Sequence, residues 1–495
     1  MPDSKQSAML IDRNTENVKR DLCETITHTT TTYIVANRLP VEYHAVAGWR
    51  TSPGGLVSAL EPALQNEHVV WVGWRGSPVS EDSHGPRSTR PPPTANITIM
   101  EIPMTQWEVS NFYDGVCNAA FWPLYHDAVI APLFHQDEFE VYRLINQRFA
   151  DCVTRSAPIG AVVWVHDYHL QLVPALLRDA RPDLRIGFFL HVPFPSAAEF
   201  DGLPWKDSVL HGLLGADLIG FQTADFAERF MQEACRCVSA KRDGNNLRLE
   251  EPRGTRCITV DVFPIGPDSR RLAAMAALPA VCESAATIRA DFDSPELILL
   301  GVDRLDYTKG IDVRIRAVAE LLKSEEFRGR DVLFIQVAMP SRSDLAAYQQ
   351  CRIAVDEALR VANAELVALG LRSIHCIHEA LPTEQVVALF VAADVLLVTS
   401  LADGMNLVSK EFVACCRDGN GRLVLSRKAG AAAQLRDAWL VDPDDMADLK
   451  CGIGEAIRAT VHDARDRMGK LRQVVFEADA IHWAESFLTR LRECR

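Results

Sequence analysis

Short apolar runs alternate with longer amphipathic segments along nearly the whole chain, in two successive series. The first series is Tyr33–Ala36, Val69–Val72, Ala161–Val165, Ile186–Leu190, Leu218–Phe221 and Thr259–Phe263. The second is Leu297–Val302, Val332–Val337, Val395–Thr399 and Leu423–Leu425. Between them lie segments with helical patterning, such as Gln171–Arg178, Val313–Lys323, Ser343–Ala364 and Gln385–Ala392. Strands alternating with helices predict parallel sheets covered on both faces, the doubly wound α/β arrangement. Two series predict two Rossmann-like domains, divided near Ile265–Ser269, where a strand ends in Gly-Pro. The expected division is a loosely held tail over 1–28, domains over 29–265 and 266–478, and a closing helix over 479–495 that crosses back to the first domain.

Composition narrows the partners. The 495 residues are 48% hydrophobic, so the chain has ample material for two cores, and disorder as its main state is excluded. Lys+Arg 52 against Asp+Glu 66 gives 52 − 66 = −14, which argues against nucleic acid but not against small anionic substrates. The 13 cysteines contain no C-x-x-C and no apolar run reaches membrane-spanning length, so a reducing cytoplasm and no membrane partner are expected. A homo-oligomer is left open.

In open α/β sheets, ligands bind beyond the carboxyl ends of strands. Four apolar runs here turn abruptly into acids, bases and imidazoles: His166-Asp167-Tyr168-His169, His191-Val-Pro-Phe-Pro, Asp303-Arg304-Leu305-Asp306-Tyr307-Thr308-Lys309-Gly310, and Asp403-Gly404-Met405-Asn406-Leu407-Val408 with Lys410-Glu411. Together they predict a cleft between two domains. Arg304 and Lys309 suit a diphosphate and the charge that develops on a leaving phosphate. Their plain alternative is pairing with Asp303 and Asp306 on a solvated loop. Asp403 to Leu407 reads as a tight turn into a helix N-terminus, which attracts anions, although Asp403 alone could be just the N-cap. Glu411, about one turn into that helix, could accept two ribose hydroxyls or could be a surface glutamate. His191 could equally be a core histidine. His166-x-x-His169 lacks a third ligand and carries no metal prediction, and Asp442-Pro443-Asp444-Asp445 reads as an acidic turn. Gly54 and Gly55 would allow close backbone approach to a phosphate or sugar, while Trp71, Trp74 and Trp122 are candidate sugar-stacking platforms or simply core.

These segments resemble the trehalose-6-phosphate synthases, glycosyltransferase family 20, from about Tyr33 to the C-terminus. The matching stretches are ANRLP, SPGGLVSALEP, WVGW, FWPLYHD, VWVHDYHLQLVP, IGFFLHVPFPS, LLGADLIGFQT, GVDRLDYTKGIDVR, DGMNLVSKEFVA and HWAESFL, in family order. The resemblance implies a GT-B fold with two Rossmann-like domains facing a central cleft. It implies a retaining transfer of glucose from a nucleoside-diphosphate glucose to glucose 6-phosphate, giving α,α-trehalose 6-phosphate, without a metal or other cofactor. It assigns the donor diphosphate to Arg304 and Lys309, the ribose to Glu411, the phosphates to the backbone of Asn406, Leu407 and Val408 with Gly54 and Gly55 close by, the donor glucose hydroxyls to Asp403, and the glucose near its 6-hydroxyl to His191. It assigns the acceptor to Asp167, Trp122 and Tyr113, and the acceptor phosphate to Arg38 and Arg342. The chain departs from the family at Ser400 and Ala402, where Pro and Arg are usual, at Leu425–Ala431, and near Ala362–Ala368. These departures leave the nucleotide open among UDP, GDP and ADP, with UDP-glucose the default. Rival readings are a glucosylglycerol-phosphate synthase, a pseudo-glycosyltransferase with a cyclitol acceptor, a GT-B epimerase, and a catalytically silent trehalose-6-phosphate sensor.

Overall fold

The computed structural model describes residues 31–44, 48–51, 56–57, 59–60, 68–79, 96–127, 129–238, 240–251 and 254–494. The expected tail over 1–28 and both Gly54 and Gly55 lie outside the described residues.

The first sheet runs, edge to edge, through Ile97–Glu101, Val69–Trp74, Thr32–Arg38, Val162–His166, Arg185–Phe189, Leu218–Phe221, Gly254–Val262, Asn246–Glu251 and Lys241–Asp243. All neighbours are parallel until the last two strands, which fold back as an antiparallel extension. The second sheet runs through His375–Ile377, Val332–Met339, Leu297–Arg304, Val395–Val398, Arg422–Ser426 and Trp439–Val441, entirely parallel. Its strands stand in the order 3-2-1-4-5-6 of a dinucleotide-binding sheet, and the parallel part of the first sheet begins in the same way. Each sheet therefore has a topological switch point, between Thr32–Arg38 and Val162–His166 in one and between Leu297–Arg304 and Val395–Val398 in the other. This is the two-domain GT-B arrangement. No single helix among the described residues is long and apolar enough to cross a membrane.

All ten expected strands are present, and Thr259–Phe263 proves to be the end of the longer Gly254–Val262. The strands that the apolar pattern misses are edges or hairpins. Ile97–Glu101 has no fully buried residue, Lys241–Asp243 is exposed throughout, and His375–Ile377 and Trp439–Val441 have three residues each. An edge strand faces solvent on one side and needs no continuous apolar run.

Two chain crossings join the domains and touch. The chain leaves the first sheet at Val262 and enters the second domain at the helix Ser269–Met275. It returns after Glu477, and the helix Ala480–Glu493 packs on the first sheet. Its Phe487 stacks on Trp164 with centroids 4.3 Å apart, in space left by Gly187 and Gly220, where an added Cβ would lie 2.7 Å from the Phe487 ring. Burying such a ring contributes roughly 1.5–3 kcal/mol. The crossings are stitched by Ala480 N–H donating to the Pro267 carbonyl (3.1 Å) and Ser269 Oγ donating to the Val475 carbonyl (3.0 Å). Gly266 lies so close to the return crossing that a Cβ there would sit 2.1 Å from the Ala478 oxygen. Gly266→Ala is therefore expected to destabilise the protein by about 1–3 kcal/mol, the ordinary penalty of overpacking, read as a lower midpoint in denaturant.

Candidate active site

Both switch points open onto one cleft of about 990 Å³ between the domains. That volume is in the range of small-molecule sites. Every described residue assigned a site role above borders it.

One end is cationic. Arg38 ends the strand Thr32–Arg38, and its guanidinium lies 4.3 Å from the Trp74 ring centroid and 5.2 Å from that of Tyr113. Tyr113 sits on the π-helix Val109–Phe121, a wide-turned helix form often found at functional sites. From the opposite domain, Arg342 lies 4.2 Å over the Trp122 ring, hydrogen-bonds to the Tyr348 hydroxyl and stands 3.6 Å from Asp306. Burial pushes the Tyr113 hydroxyl up, but Arg342 and Arg38 outweigh it and bring it down to about 8. Two guanidiniums and a phenol from two domains thus converge as a phosphate receptor would require.

The sequence leaves the tryptophans open between sugar platform and core. Trp71 and Trp74 are 1% and 2% exposed, with their indole N–H groups bonded to the carbonyls of Arg38 (2.9 Å) and Ser77 (3.0 Å). The Trp74 face holds Arg38 and the Trp122 face holds Arg342. Trp74 and Trp122 thus carry cations, whose guanidinium planes stack on the indole faces, and Trp71 is a core residue.

The other end is built on the second switch point. Lys309, in the 3-10 turn Tyr307–Lys309, reaches Asp403 across the strand ends at 2.6 Å. Asp403 also accepts from Asn406 Nδ2 (3.0 Å) and Ser400 Oγ (3.3 Å). Burial pushes its carboxyl up, but Lys309 and these hydrogen bonds outweigh it, so the group stays ionised. The local alternative for the cations does not occur. Asp303 is bonded to Arg314 (2.5 Å), and Asp306 accepts from the Thr308 N–H (3.0 Å) and hydroxyl (2.9 Å). The Arg304 side chain makes no hydrogen bond or ion pair among the described residues, and its guanidinium stands 5.5 Å from the Trp122 ring centroid. Asp403 is not the helix cap either. Asn406, at φ 75°, caps the helix Leu407–Cys415 by accepting from the Ser409 N–H at 3.0 Å. The N-terminus of that helix opens on the cleft through Leu407 and Val408.

Two carboxyls here are raised by burial. The Glu411 carboxyl makes no hydrogen bond among the described residues, and burial pushes it up to about 7. Asp167 is also pushed up to about 7 by burial, although it accepts from the His191 N–H at 3.2 Å. Its backbone, at φ 72° and ψ 168°, lies in a region that essentially only glycine occupies, a strain of order 1–3 kcal/mol. Strain of that size on a cleft carboxylate points to function. Lys410 turns away from the cleft: its ammonium donates to the Ile265 carbonyl and to Gln434 Oε1, both at 2.6 Å, and burial lowers it to about 7. It ties the helix Leu407–Cys415 to the interdomain crossing.

His191 borders the cleft where the domains touch, since a Cβ on Gly404 would lie 2.1 Å from the His191 carbonyl oxygen. His126 is a cleft residue that the sequence reading missed. Its Nδ1–H donates to the Trp122 carbonyl at 2.7 Å, which leaves Nε2 unprotonated, and burial lowers it to about 4. The available signal was the spacing of four from Trp122 in a helical stretch, which puts both rings on one face. Asp114 and Asp344, from opposite domains, also line the cleft and went unnoticed. Among the described residues, no three His, Cys, Asp or Glu side chains gather as a metal site requires.

The sequence signature described as glycosyltransferase family 20 matches residues 26–493. The chain belongs to glycosyltransferase family 20. A family-20 relative, the trehalose-6-phosphate synthase of Mycolicibacterium gilvum, is 44% identical over 468 residues, covering 92% of this chain and 93% of that one. Among solved structures, an α,α-trehalose-phosphate synthase (UDP-forming) from Burkholderia xenovorans in complex with glucose-6-phosphate is similar at a TM-score of 0.85 and 29% identity, over 93% of this chain and 100% of that one. A trehalose-6-phosphate protein from E. coli bound with UDP-2-fluoro glucose is similar at a TM-score of 0.84 and 29% identity, over 94% of this chain and 99% of that one. The family-20 chain thus shares both sequence and architecture with these proteins over nearly its full described length.

Proposed function

We propose that this family-20 chain transfers glucose from UDP-glucose to the anomeric hydroxyl of glucose 6-phosphate, with retention, forming α,α-trehalose 6-phosphate and UDP. The observation that carries the reading is the arrangement of the two switch points: a cationic end suited to a phosphate monoester faces a cation-and-helix end suited to a diphosphate, across one cleft. The relatives support the substrates, since one is UDP-forming with glucose-6-phosphate bound and another holds a UDP-glucose analogue.

In this reading Arg38, Tyr113 and Arg342 hold the acceptor phosphate, and Trp122 holds Arg342 in place. Asp167 receives an acceptor hydroxyl. Asp403 and His191 bind the donor glucose, Glu411 the ribose, and the N–H groups at Asn406–Val408 the diphosphate, with Gly54 and Gly55 assigned to the same side by resemblance. The acceptor hydroxyl attacks the anomeric carbon on the face from which the phosphate departs, and its proton passes to that phosphate oxygen. Negative charge developing there is met by Arg304, Lys309 and the helix N-terminus. The proposal gives that task to these groups and to no metal ion.

The test is to incubate the purified protein with UDP-, GDP- or ADP-glucose, with and without glucose 6-phosphate, and to measure nucleoside diphosphate and trehalose 6-phosphate. UDP release that depends on glucose 6-phosphate is expected. Release without an acceptor, or none with any donor, overturns the reading; the latter outcome supports the silent sensor.

Glu411 supplies a further prediction. As a ribose acceptor it must be ionised, so kcat/KM for the donor rises with pH through about 7 and levels off above it. The sign for stability is opposite. A carboxyl raised from 4.5 to about 7 on folding stabilises the native state when protonated, and this contribution is lost as pH rises through about 7. Glu411→Gln is thus expected to melt higher than the parent at pH 8, with the difference shrinking toward pH 5, while its donor KM rises about tenfold or more. Thermal melts and initial rates across that range check both.

A further inference from the structure

His191 has a second imidazole behind it. His166 ends the strand Val162–His166 and is fully buried, with its Nδ1 3.1 Å from His191 Nε2. The parallel register pairs His166 with Phe189, which brings a histidine two residues past that strand's end alongside it. Around the pair stands an aromatic cage: Trp164 is 4.5 Å from His166, Phe189 is 4.7 Å from His191, and Trp483 of the returning helix is 6.3 Å and 5.9 Å from the two rings, centroid to centroid. The Asp167 carboxylate, next in the chain to His166, accepts from the His191 backbone N–H.

At 3.1 Å one nitrogen must present its proton and the other its lone pair. The remaining nitrogens decide which. His166 Nε2 is sealed from solvent and has no hydrogen-bond partner. The indole N–H groups of Trp164 and Trp483 are also sealed and without partners, yet neither bonds to it. The Trp164 and Trp483 ring centroids stand 4.5 and 6.3 Å from the imidazole, so a lone pair there would go unmet although both rings carry unused N–H donors. An N–H among aromatic rings, by contrast, is tolerated. The proton of His166 is therefore on Nε2, its Nδ1 is the acceptor, and the shared proton belongs to His191 Nε2. His191 Nδ1 makes no hydrogen bond and is not among the sealed, unpartnered atoms.

We propose that His166 is a positioning residue: it holds His191 as the Nε2–H tautomer, so that His191 Nδ1 presents a lone pair to the cleft and accepts a hydrogen bond from a hydroxyl of the donor hexose. This rests on the glucosyl-transfer reading above and deepens it. The site then favours a donor hexose with a primary hydroxyl and disfavours one with a carboxylate in that place, since a carboxylate brings lone pairs to a lone pair.

The experiment compares His166→Phe, which keeps a ring but removes both nitrogens, with His166→Asn, whose amide oxygen falls near the Nδ1 position. With UDP-glucose, His166→Phe is expected to lower kcat/KM about 30-fold, and His166→Asn to recover most of the loss. With UDP-6-deoxyglucose, which has no hydroxyl to donate, parent and both variants are expected to agree within about threefold. In parallel, nitrogen NMR of histidine-labelled protein without substrates, assigned with His191→Gln, should show His191 as the Nε2–H tautomer in the parent and a tautomer mixture in His166→Phe. An equal loss with both donors would mean that His166 only supports the fold, and overturns the proposal. So does a Nδ1–H tautomer at His191 in the parent. If the parent transfers glucose to nothing, the glucosyl-transfer reading falls, and the spectra still decide the tautomer.

Discussion

Replacing Lys309 with alanine is expected to lower kcat about a thousandfold, equivalent to roughly 4 kcal/mol of transition-state stabilisation. The argument is one of timing. Before reaction a nucleotide-sugar diphosphate already carries charge and is held by several groups, but the bond-breaking step adds charge to the leaving oxygen. A cation placed there gains in the transition state what it does not gain in the ground state, so its loss falls on kcat more than on KM. Lys309 is placed for this by the 3-10 turn that follows Leu297–Arg304, and its Nζ is held at 2.6 Å from Asp403. Truncation leaves Asp403 in a largely dry place, so the melting temperature should fall. The carboxylate keeps Asn406 and Ser400 as donors, at 3.0 and 3.3 Å, and the unfolding transition should remain cooperative. Rates of UDP release alongside circular dichroism at the assay temperature separate the two effects. A variant that is folded and within tenfold of the parent removes Lys309 from the chemistry.

The pairing of Lys309 shows what a linear reading can and cannot reach. The strand-end loop, its two cations and the turn into the next helix were legible, because an apolar run that stops at charged residues marks the carboxyl end of a strand. The partner was not legible. Asp303 and Asp306 are the near neighbours in sequence, but one is used by Arg314 and the other by Thr308 and Tyr348, and the true partner lies 94 residues on. Only the sheet order, which sets Leu297–Arg304 beside Val395–Val398, brings Asp403 there. The imidazole pair has the same origin, since 25 residues separate His166 from His191 and the parallel register closes the gap. The tryptophans show the converse. Their sequence context marked the right place, but ring faces can serve cations as well as sugars, and the arginines that cover them come from elsewhere in the chain. Short edge strands escaped for a simpler reason: half-solvated and partly polar, they carry no apolar run.

The second large effect is expected at the acceptor phosphate. Arg342→Gln should raise KM for glucose 6-phosphate about 100-fold, near 2.7 kcal/mol for one charge-assisted contact to a phosphate, while changing KM for the nucleotide sugar little. Arg342 reaches the site from the second domain and lies over Trp122, which belongs to the first, so the contact also spans the cleft. The fold should tolerate the change. Asp306 keeps the Thr308 N–H, the Thr308 hydroxyl and the Tyr348 hydroxyl, at 3.0, 2.9 and 3.1 Å, and glutamine at this φ of 46° is no more strained than arginine. Two readouts isolate the phosphate. With unphosphorylated glucose as acceptor, parent and variant should converge, because the missing charge has nothing to bind. The alkaline side of the pH profile should also move. Arg342 is the strongest of the charges that bring Tyr113 down to about 8, and above that pH a phenolate would repel the phosphate, so acceptor affinity in the parent should weaken from about pH 8. In Arg342→Gln the phenol is released toward its ordinary value near 10, and the same weakening should begin at higher pH. An unchanged alkaline limb together with an unchanged preference for the phosphorylated acceptor would place the phosphate elsewhere in the cleft.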